Sequence, residues 1–462
     1  MSFQSASFLF FFFPAVFLLY AILPGIRWKN RLLLLAGLVF YAFGRWQDLP
    51  VLLLSAAANY AAGFFIAAGR RKKAVLVLAL AANLGTLGAY KYLSFLTGGA
   101  AAGLVPPMGI SFFTFKGMSY VIDIYRGGQA AGRFSDAVLY LSFFPQVGSG
   151  PIARFGQFAP QLAERGAGPE RVARGLRRFA AGMGKKLLIS ALAATVADSA
   201  FSLGSGLDIR MAWLGAAAYT IQLYFDFSGY SDMAIGLAAV FGFDTPENFH
   251  YPLAAVSITD FWRRWHISLS TWFRDYLYIP LGGGRCGRRR KALNKAVVFL
   301  LCGLWHGAGW TFLLWGAWHA IFSALESLGV VDCGRLGRTR PGRVLCHLYT
   351  LAAVCLGFVI FRAADPGQAL EFFRVLFTGF RPAAASSLAL AQISPAAWCA
   401  LLAGAVGSLP LGPRLRSWAC GLGETPRRWL TACSFAGAAA LFALCLMAAA
   451  GGSFQPFIYA QF

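Results

Sequence analysis

The sequence predicts an all-α polytopic membrane protein, on the evidence of its composition, its hydropathy and its recurring apolar runs. Of 462 residues, 58% are hydrophobic and 13% are charged, against the roughly 25% charged residues of a typical soluble domain. Mean hydropathy is +0.60. A water-soluble fold of this size would expose too much apolar surface. The composition therefore excludes an ordinary cytosolic enzyme, a disordered chain and a disulfide-stapled secreted domain.

The apolar runs predict about 11 to 13 membrane-embedded helices in one domain, residues 1–462, although several runs are shorter than the ~20 residues of a full span. The first run is expected to be a membrane helix and not a cleaved signal peptide, because no basic residue precedes it. The run at 294–326 is too long for one crossing, and Gly307-Ala308-Gly309 predicts a break or hairpin within it. The runs are 8–24, 32–44, 49–69, 74–96, 108–125, 136–152, 183–203, 209–227, 230–243, 294–326, 344–361, 384–412 and 429–451.

The positive net charge is better explained by contact with a membrane surface than by binding of nucleic acid. Lys and Arg number 41 against 18 Asp and Glu, a net charge of +23. The basic residues stand between apolar runs, as expected for cytoplasmic loops that face anionic lipid. This predicts an N-terminus outside and a cytoplasmic or interfacial segment at 249–293. The predicted cytoplasmic clusters are Arg70–Lys73; Arg171, Arg174, Arg177, Arg178, Lys185 and Lys186; and Arg285, Arg288–Lys291 and Lys295.

Neither a disulfide framework nor a metal site is predicted. The nine cysteines are an odd count, form no CxxC pair and lie mostly inside apolar runs, where they suit small core positions. The five histidines show no HExxH or similar spacing. The Gly148-Ser149-Gly150-Pro151 stretch is not the GxSxG of a serine hydrolase, and no nucleotide-binding loop is present.

His306 is the foremost candidate for chemistry. It lies deep in an apolar run, and glycines at 303, 307 and 309 remove bulk around it. A second backbone or a substrate can therefore approach it closely. A neutral imidazole can accept a hydroxyl proton near pH 7, which acyl transfer to an alcohol requires. The alternative is a histidine that only bonds a neighbouring helix.

His266 is the second candidate. Read as one helix, residues 260–276 place their aromatic side chains on one face and most charged ones on the other, as in an interfacial helix. His266 would stand at the border of the two faces, either as a catalytic group or as a side chain that reaches the headgroups. The Asp260–Arg264 spacing predicts an ion pair. His250, His319 and His347 are expected to be structural.

Asp226 is an acidic residue at the end of an apolar run, in the stretch YFDFSGYSD. It either lines a polar cavity or caps a helix, and the sequence alone favours neither role.

The motifs resemble those of the membrane-bound O-acyltransferases, and above all of their alginate O-acetyltransferase branch. The 260–283 block carries the likeness with DFWRRWHISLS followed by WFRDYLYIPLGG, and Trp305-His306-Gly307 follows about 40 residues later. Further matches lie at 108–115, 142–146, 224–232 and 456–459. The resemblance covers nearly the whole chain, least clearly 330–450. Lys116 and Gly284 depart from it, at positions where a neutral amide and Asn are expected.

The resemblance implies helices around a central funnel or tunnel and transfer of acyl groups to hydroxyls. It implies that His306 is the catalytic histidine and that His266 corresponds to the second histidine of the family. No bound cofactor is expected. Acetyl-CoA is the implied donor, an exported or cell-surface polysaccharide the acceptor, and an SGNH-type extracytoplasmic acetyltransferase the partner, at the bacterial inner membrane. Candidate substrate-binding residues are Asp226, Ser228, Arg264, Arg274, Tyr278 and Trp305.

Two rival functions stay open at this stage. One is a D-alanyl transferase of the same fold that acts on teichoic-acid-like polymers, although the YIPLGG run favours the acetylating branch. The other is a transporter whose histidines line a pore. The chain shows no internal repeat of the kind that transporters often carry.

Overall fold

The computed structural model describes residues 1–97, 104–285 and 287–451, without the side chains of Arg416 and Arg427. These parts are mostly helical and contain no β-strand, which confirms the all-α prediction. The 456–459 motif lies outside them. The α-helices of eight or more residues are Phe13–Ile22, Gly25–Ala42, Leu49–Ala67, Lys72–Lys91, Ile110–Tyr125, Phe134–Ser142, Pro169–Gly184, Ala191–Ser202, Ile209–Val240, Gly287–His306, Trp310–Leu328, Arg340–Arg362, Pro366–Thr378, Ala384–Ala391, Pro395–Gly407, Leu411–Cys420 and Glu424–Ala450.

Several helices are long and apolar enough to cross a membrane. Within the described ranges there are five, or up to six if the bent pair Ala384–Ala391 and Pro395–Gly407 counts as one span. The two members of that pair meet at 85°. The N-terminal apolar helix Ser7–Ile22 is shorter. The polytopic prediction is confirmed, while the count of 11 to 13 embedded helices, which includes shorter pieces, stays a prediction. The five long helices are Trp46–Ala67, Lys72–Lys91, Pro169–Ser202, Arg340–Arg362 and Glu424–Ala450.

One pair of predicted runs proves to be a single element. The sequence separates 209–227 from 230–243 because polar residues interrupt the apolar pattern there. In the structure Ile209–Val240 is one helix of 32 residues. The separation is therefore wrong, and Asp226 and Ser228 lie inside a helix, where their surroundings are set by the elements that pack against it.

The described chain divides into two compact units, each built from separate stretches of sequence. One comprises Met1–Phe179 and Tyr230–Glu247, and the other comprises Ala180–Gly229 and 248–451. All the candidate site residues belong to the second unit. The prediction of one domain over 1–462 stays a prediction.

The first unit holds a buried lysine at one of the positions that depart from the family pattern. Lys116, inside the Ile110–Tyr125 helix, donates to the carbonyl oxygen of Tyr140 and, at 3.0 Å, to Oε1 of Gln146. Its ammonium group also lies 4.3 Å from the centre of the Tyr140 ring. These contacts satisfy a cation that the apolar surroundings would otherwise disfavour.

The predicted break in 294–326 is a helical hairpin. Gly287–His306 ends where expected, residues 307–309 turn the chain, and Trp310–Leu328 runs back. Glycines let the two helices touch: a Cβ at Gly303 would lie 2.4 Å from the carbonyl oxygen of Phe312, and one at Gly316 would lie 2.6 Å from that of Phe299. The close approach predicted at Gly303 is thus made by the partner helix of the hairpin.

We expect Gly316→Ala to destabilise the protein by about 1–3 kcal/mol, because its added methyl group forces the helices of the hairpin apart. Thermal unfolding of the detergent-solubilised protein measures the effect. Gly88→Ala is the matched control, since it lies within the Lys72–Lys91 helix and a Cβ there meets nothing within 4 Å. Equal unfolding temperatures for the two variants would contradict the prediction.

Candidate active site

His306 is held at the hairpin turn. It is the last residue of its helix and is buried. Three aromatic rings surround it: Trp305, Trp315 and Phe361, at centroid distances of 4.9, 5.0 and 5.2 Å. The ring of Phe312 fills the space next to Gly307, and a Cβ on Gly307 would lie 2.3 Å from this ring. The position of His306 is therefore fixed by packing from both helices of the hairpin and from Arg340–Arg362.

His266 lies at a break in the predicted signature helix. The structure has Ile258–Arg264 and Ile267–Phe273 instead of one helix over 260–276. His266 takes left-handed dihedrals, φ 43° and ψ 53°, which are uncommon for a residue with a side chain. It is buried and does not stand at the border of an interfacial face. The prediction of a single amphipathic helix is thus wrong.

Asn248 accounts for the break. Its backbone carbonyl accepts from the N–H of Ile267 at 2.9 Å, while its side-chain oxygen lies 3.1 Å from Nδ1 of His266. The same oxygen accepts from the backbone N–H and the hydroxyl of Ser268, at 3.2 and 2.9 Å. These contacts replace helical hydrogen bonds that the left-handed residue interrupts. Sequence reasoning missed Asn248, because nothing in its neighbourhood distinguishes it from a loop residue.

Glu326 supports the other end of this segment. Its carboxylate accepts from the backbone N–H groups of Ile258 and Thr259 at 2.6 and 3.0 Å, and from the Thr259 hydroxyl at 2.7 Å. A carboxylate at a helix N-terminus satisfies free donors and complements the helix dipole. Because Glu326 belongs to the Trp310–Leu328 helix, it ties the His266 segment to the hairpin that carries His306.

One aromatic ring lies near both histidines. The centroid of the Trp305 ring is 6.1 Å from that of His266 and 4.9 Å from that of His306. Phe227 packs edge-on against His266 at 4.6 Å. Burial lowers the pKa of His266, which lies outside the long apolar helices, to about 3. This imidazole is therefore neutral at physiological pH. The two histidines predicted from the sequence, His266 and His306, thus lie near the same tryptophan ring.

The other three histidines make structural contacts. Nδ1 of His319 accepts from the indole N–H of Trp262 at 3.4 Å. Nδ1 of His347 lies 2.9 Å from the carbonyl oxygen of Ala255. His250 is exposed, and its backbone N–H bonds the carbonyl of Arg264. His319 also orients Trp262, a link that the sequence did not reveal.

A cavity of about 510 Å³ adjoins the segments that carry the two histidines, although neither His266 nor His306 is among its lining residues. Within the described chain its lining contains no carboxylate. Ile267, next to His266, and the buried Cys302, one turn before His306, are both in its wall. The cavity thus combines a cationic lining with aromatic walls. Its charged and aromatic lining residues are Arg263, Arg274, Lys291, Lys295, Trp262, Phe273, Tyr278 and Phe299.

The candidate binding residues lie in four different places. Arg274 and Tyr278 line the cavity, and the ring of Trp305 lies near both histidines. Arg264 does not line it and instead pairs with Asp260 at 2.9 Å, as its spacing predicts.

Asp226 and Ser228 are buried in the Ile209–Val240 helix. Phe227, between them, is the residue that contacts His266.

Asp226 forms a buried ion pair with Lys186, from the π-helical segment Lys185–Ser190. It therefore does not cap a helix. Lys186 in turn does not belong to an exposed basic cluster, because its side chain is buried. Next to the pair, the backbones of the two elements touch: a Cβ at Gly229 would lie 2.7 Å from the carbonyl oxygen of Gly182. The ion pair and this contact hold Phe227 against the site.

Loss of either partner of the Lys186–Asp226 pair should cost about 3–5 kcal/mol, because the remaining charge would be buried without its partner. We expect Lys186→Met to lower the amount of folded protein in membranes and its unfolding temperature in detergent. The double variant Lys186→Met/Asp226→Leu removes both charges and should recover much of the loss. A double variant less stable than Lys186→Met would contradict the pairing.

Comparison with known proteins gives this site its chemical class. The family model of the membrane-bound O-acyltransferases matches residues 133–328, a range that contains both histidines. The probable alginate O-acetylase AlgI of Azotobacter vinelandii is 42% identical over 82% of this chain and 78% of its own length. The chain belongs to the membrane-bound O-acyltransferase family, and it is an O-acyltransferase that uses an acyl donor.

Relatives with other acceptors are also similar. The peptidoglycan O-acetyltransferase of Helicobacter pylori is 36% identical over 80% of this chain and 79% of its own length. The teichoic acid D-alanyltransferase of Bacillus subtilis is 29% identical over 56% of this chain and 69% of its own length. The likeness thus extends further along the two acetyl-transferring relatives.

Proposed function

We propose that this protein transfers acetyl groups from cytoplasmic acetyl-CoA to hydroxyls of an exported or cell-surface polysaccharide, at the bacterial inner membrane. The observation that carries the proposal is the cationic cavity next to the two segments that hold His266 and His306. The names of the two acetyl-transferring relatives support acetyl as the transferred group and a polysaccharide as the acceptor.

The cavity is suited to the donor by charge and by size. Arg263, Arg274, Lys291 and Lys295 line it, and the phosphates of acetyl-CoA are anionic at neutral pH. Opposite charges attract strongly where water is partly excluded. A volume of about 510 Å³ lies within the range of small-molecule sites. The Trp262 and Phe299 rings offer apolar contact to the uncharged pantetheine arm.

His306 acts as the general base in the proposed mechanism. It takes the proton of the attacking hydroxyl as that oxygen bonds to the thioester carbonyl carbon. The carbon–sulfur bond then breaks, and the proton passes to the leaving thiolate. Such general-base assistance typically contributes about 10²–10⁴-fold to the rate. His266 positions the donor from the cytoplasmic side.

Delivery to the glycan is proposed to follow one of two routes. The acetyl group either reaches the acceptor hydroxyl directly or is relayed to an SGNH-type acetyltransferase outside the membrane. In both routes the imidazole of His306 is the group that activates the attacking oxygen.

His306→Ala should abolish polysaccharide acetylation while the protein remains in the membrane at its normal level. Removal of the base eliminates the rate contribution of proton transfer, and the added space lies at a helix end. Mass spectrometry of the envelope polysaccharide measures the acetyl content. His250→Ala is the control, because that exposed side chain is outside the site. Retained acetylation in the His306 variant would overturn the assignment, and alanyl groups on the polymer would favour the D-alanyl alternative.

Lys291→Met should raise the KM for acetyl-CoA about tenfold with little change in kcat, because the cavity loses one charge-assisted contact to a phosphate. A purified-protein assay of acetyl-CoA hydrolysis, or of transfer to a water-soluble glycan, measures both constants. Higher salt should weaken donor binding less in this variant than in the unsubstituted enzyme. Lys72→Met, a change in an exposed lysine of another helix, is the control. An unchanged KM would exclude Lys291 from the donor site.

A further inference from the structure

The orientation of the Asn248 side chain is determined by a backbone group. Its Oδ1 atom lies 3.2 Å from the backbone nitrogen of Ser268 and 2.9 Å from the Ser268 hydroxyl. A backbone N–H can only donate a hydrogen bond. The atom that faces it must therefore be the amide oxygen, and the amide nitrogen of Asn248 points elsewhere.

The same oxygen determines which ring nitrogen of His266 carries the proton. Nδ1 lies 3.1 Å from Oδ1 of Asn248. Because an amide oxygen can only accept, Nδ1 must donate. A neutral imidazole holds one N–H, so its lone pair is on Nε2. The Phe227 and Trp305 rings beside His266 are apolar and give this ring no charge of their own.

Asn248 also fixes the backbone that follows His266. Its own carbonyl oxygen accepts from the N–H of Ile267, the residue after the left-handed His266. One residue thus sets both the dihedral angles and the ring orientation of the histidine. Partners of this kind are known to orient catalytic and metal-bound imidazoles.

We propose that Asn248 is a positioning residue for acyl transfer, which holds His266 with its proton on Nδ1 and presents Nε2 to the reacting groups. The inference deepens the proposed function, since it rests on a role for His266 in the reaction. Asn248 itself touches neither donor nor acceptor in this scheme.

Asn248→Leu keeps the size of the side chain and removes the acceptor. It should lower kcat by about 10- to 100-fold, the usual cost of losing such a partner, with the KM for acetyl-CoA nearly unchanged. Asn248→Asp restores an acceptor for Nδ1, as the aspartate of a Ser-His-Asp triad does, and should recover at least about tenfold in kcat over the Leu variant. Ser268→Ala, which removes only the hydroxyl contact, is the matched control and should stay close to the unsubstituted enzyme.

A double-mutant cycle separates positioning from a purely structural role. If Asn248 acts through His266, adding Asn248→Leu to His266→Ala should leave the residual turnover almost unchanged. Equal turnover of the Leu and Asp variants, or full additivity in the cycle, would overturn the proposal. Should the Leu variant fail to accumulate in the membrane, Asn248→Ala enters the same comparisons.

The cycle also distinguishes the two proposals. If His266→Ala alone turns over like the unsubstituted enzyme, the proposed role of His266 fails. If His266→Ala is slow and Asn248→Leu is not, only the positioning role of Asn248 fails.

Discussion

The close contact between the two helices of the hairpin is the constraint on which the site depends. Gly303 and Gly316 bring backbone against backbone, so the helices cannot slide or rotate without a clash. His306 ends the first helix, and its ring is therefore held by the geometry of the pair. Small residues at a helix–helix interface permit such close contacts, and these contacts add to the packing energy.

The position of His266 depends on a balance between the cost of a helix break and the hydrogen bonds that compensate it. A break in a helix exposes backbone donors and acceptors, and a left-handed histidine adds strain. The carboxylate of Glu326 satisfies the start of the segment, and the two oxygens of Asn248 satisfy its middle. Because Glu326 belongs to the hairpin, the polar contacts that compensate the break also set the position of His266 relative to His306. Strain at one residue is thus coupled to the arrangement of both imidazoles.

The sequence patterns predicted those features that are determined by residues close together in the chain. The hairpin was predicted because the glycines that form it are themselves in the run, and the Asp260–Arg264 pair because its members are one turn apart. The break at His266 was not predicted, since it is imposed by an asparagine 18 residues away. The role of Asp226 also depends on a lysine 40 residues away. Periodicity along one helix carries no information on such partners.

The distribution of charge around the site fits the two environments that the proposed acetyl-CoA donor would enter. The cations line the cavity, while the direct ring contacts of the histidines are aromatic. The cationic cavity stabilises a charged nucleotide. The aromatic surroundings of the histidines exclude it, because removing water from a phosphate there would be costly. A thioester at the end of an uncharged arm meets no such cost. The arrangement therefore suits the proposed donor, acetyl-CoA, whose charge lies at one end and whose reactive carbonyl lies at the other.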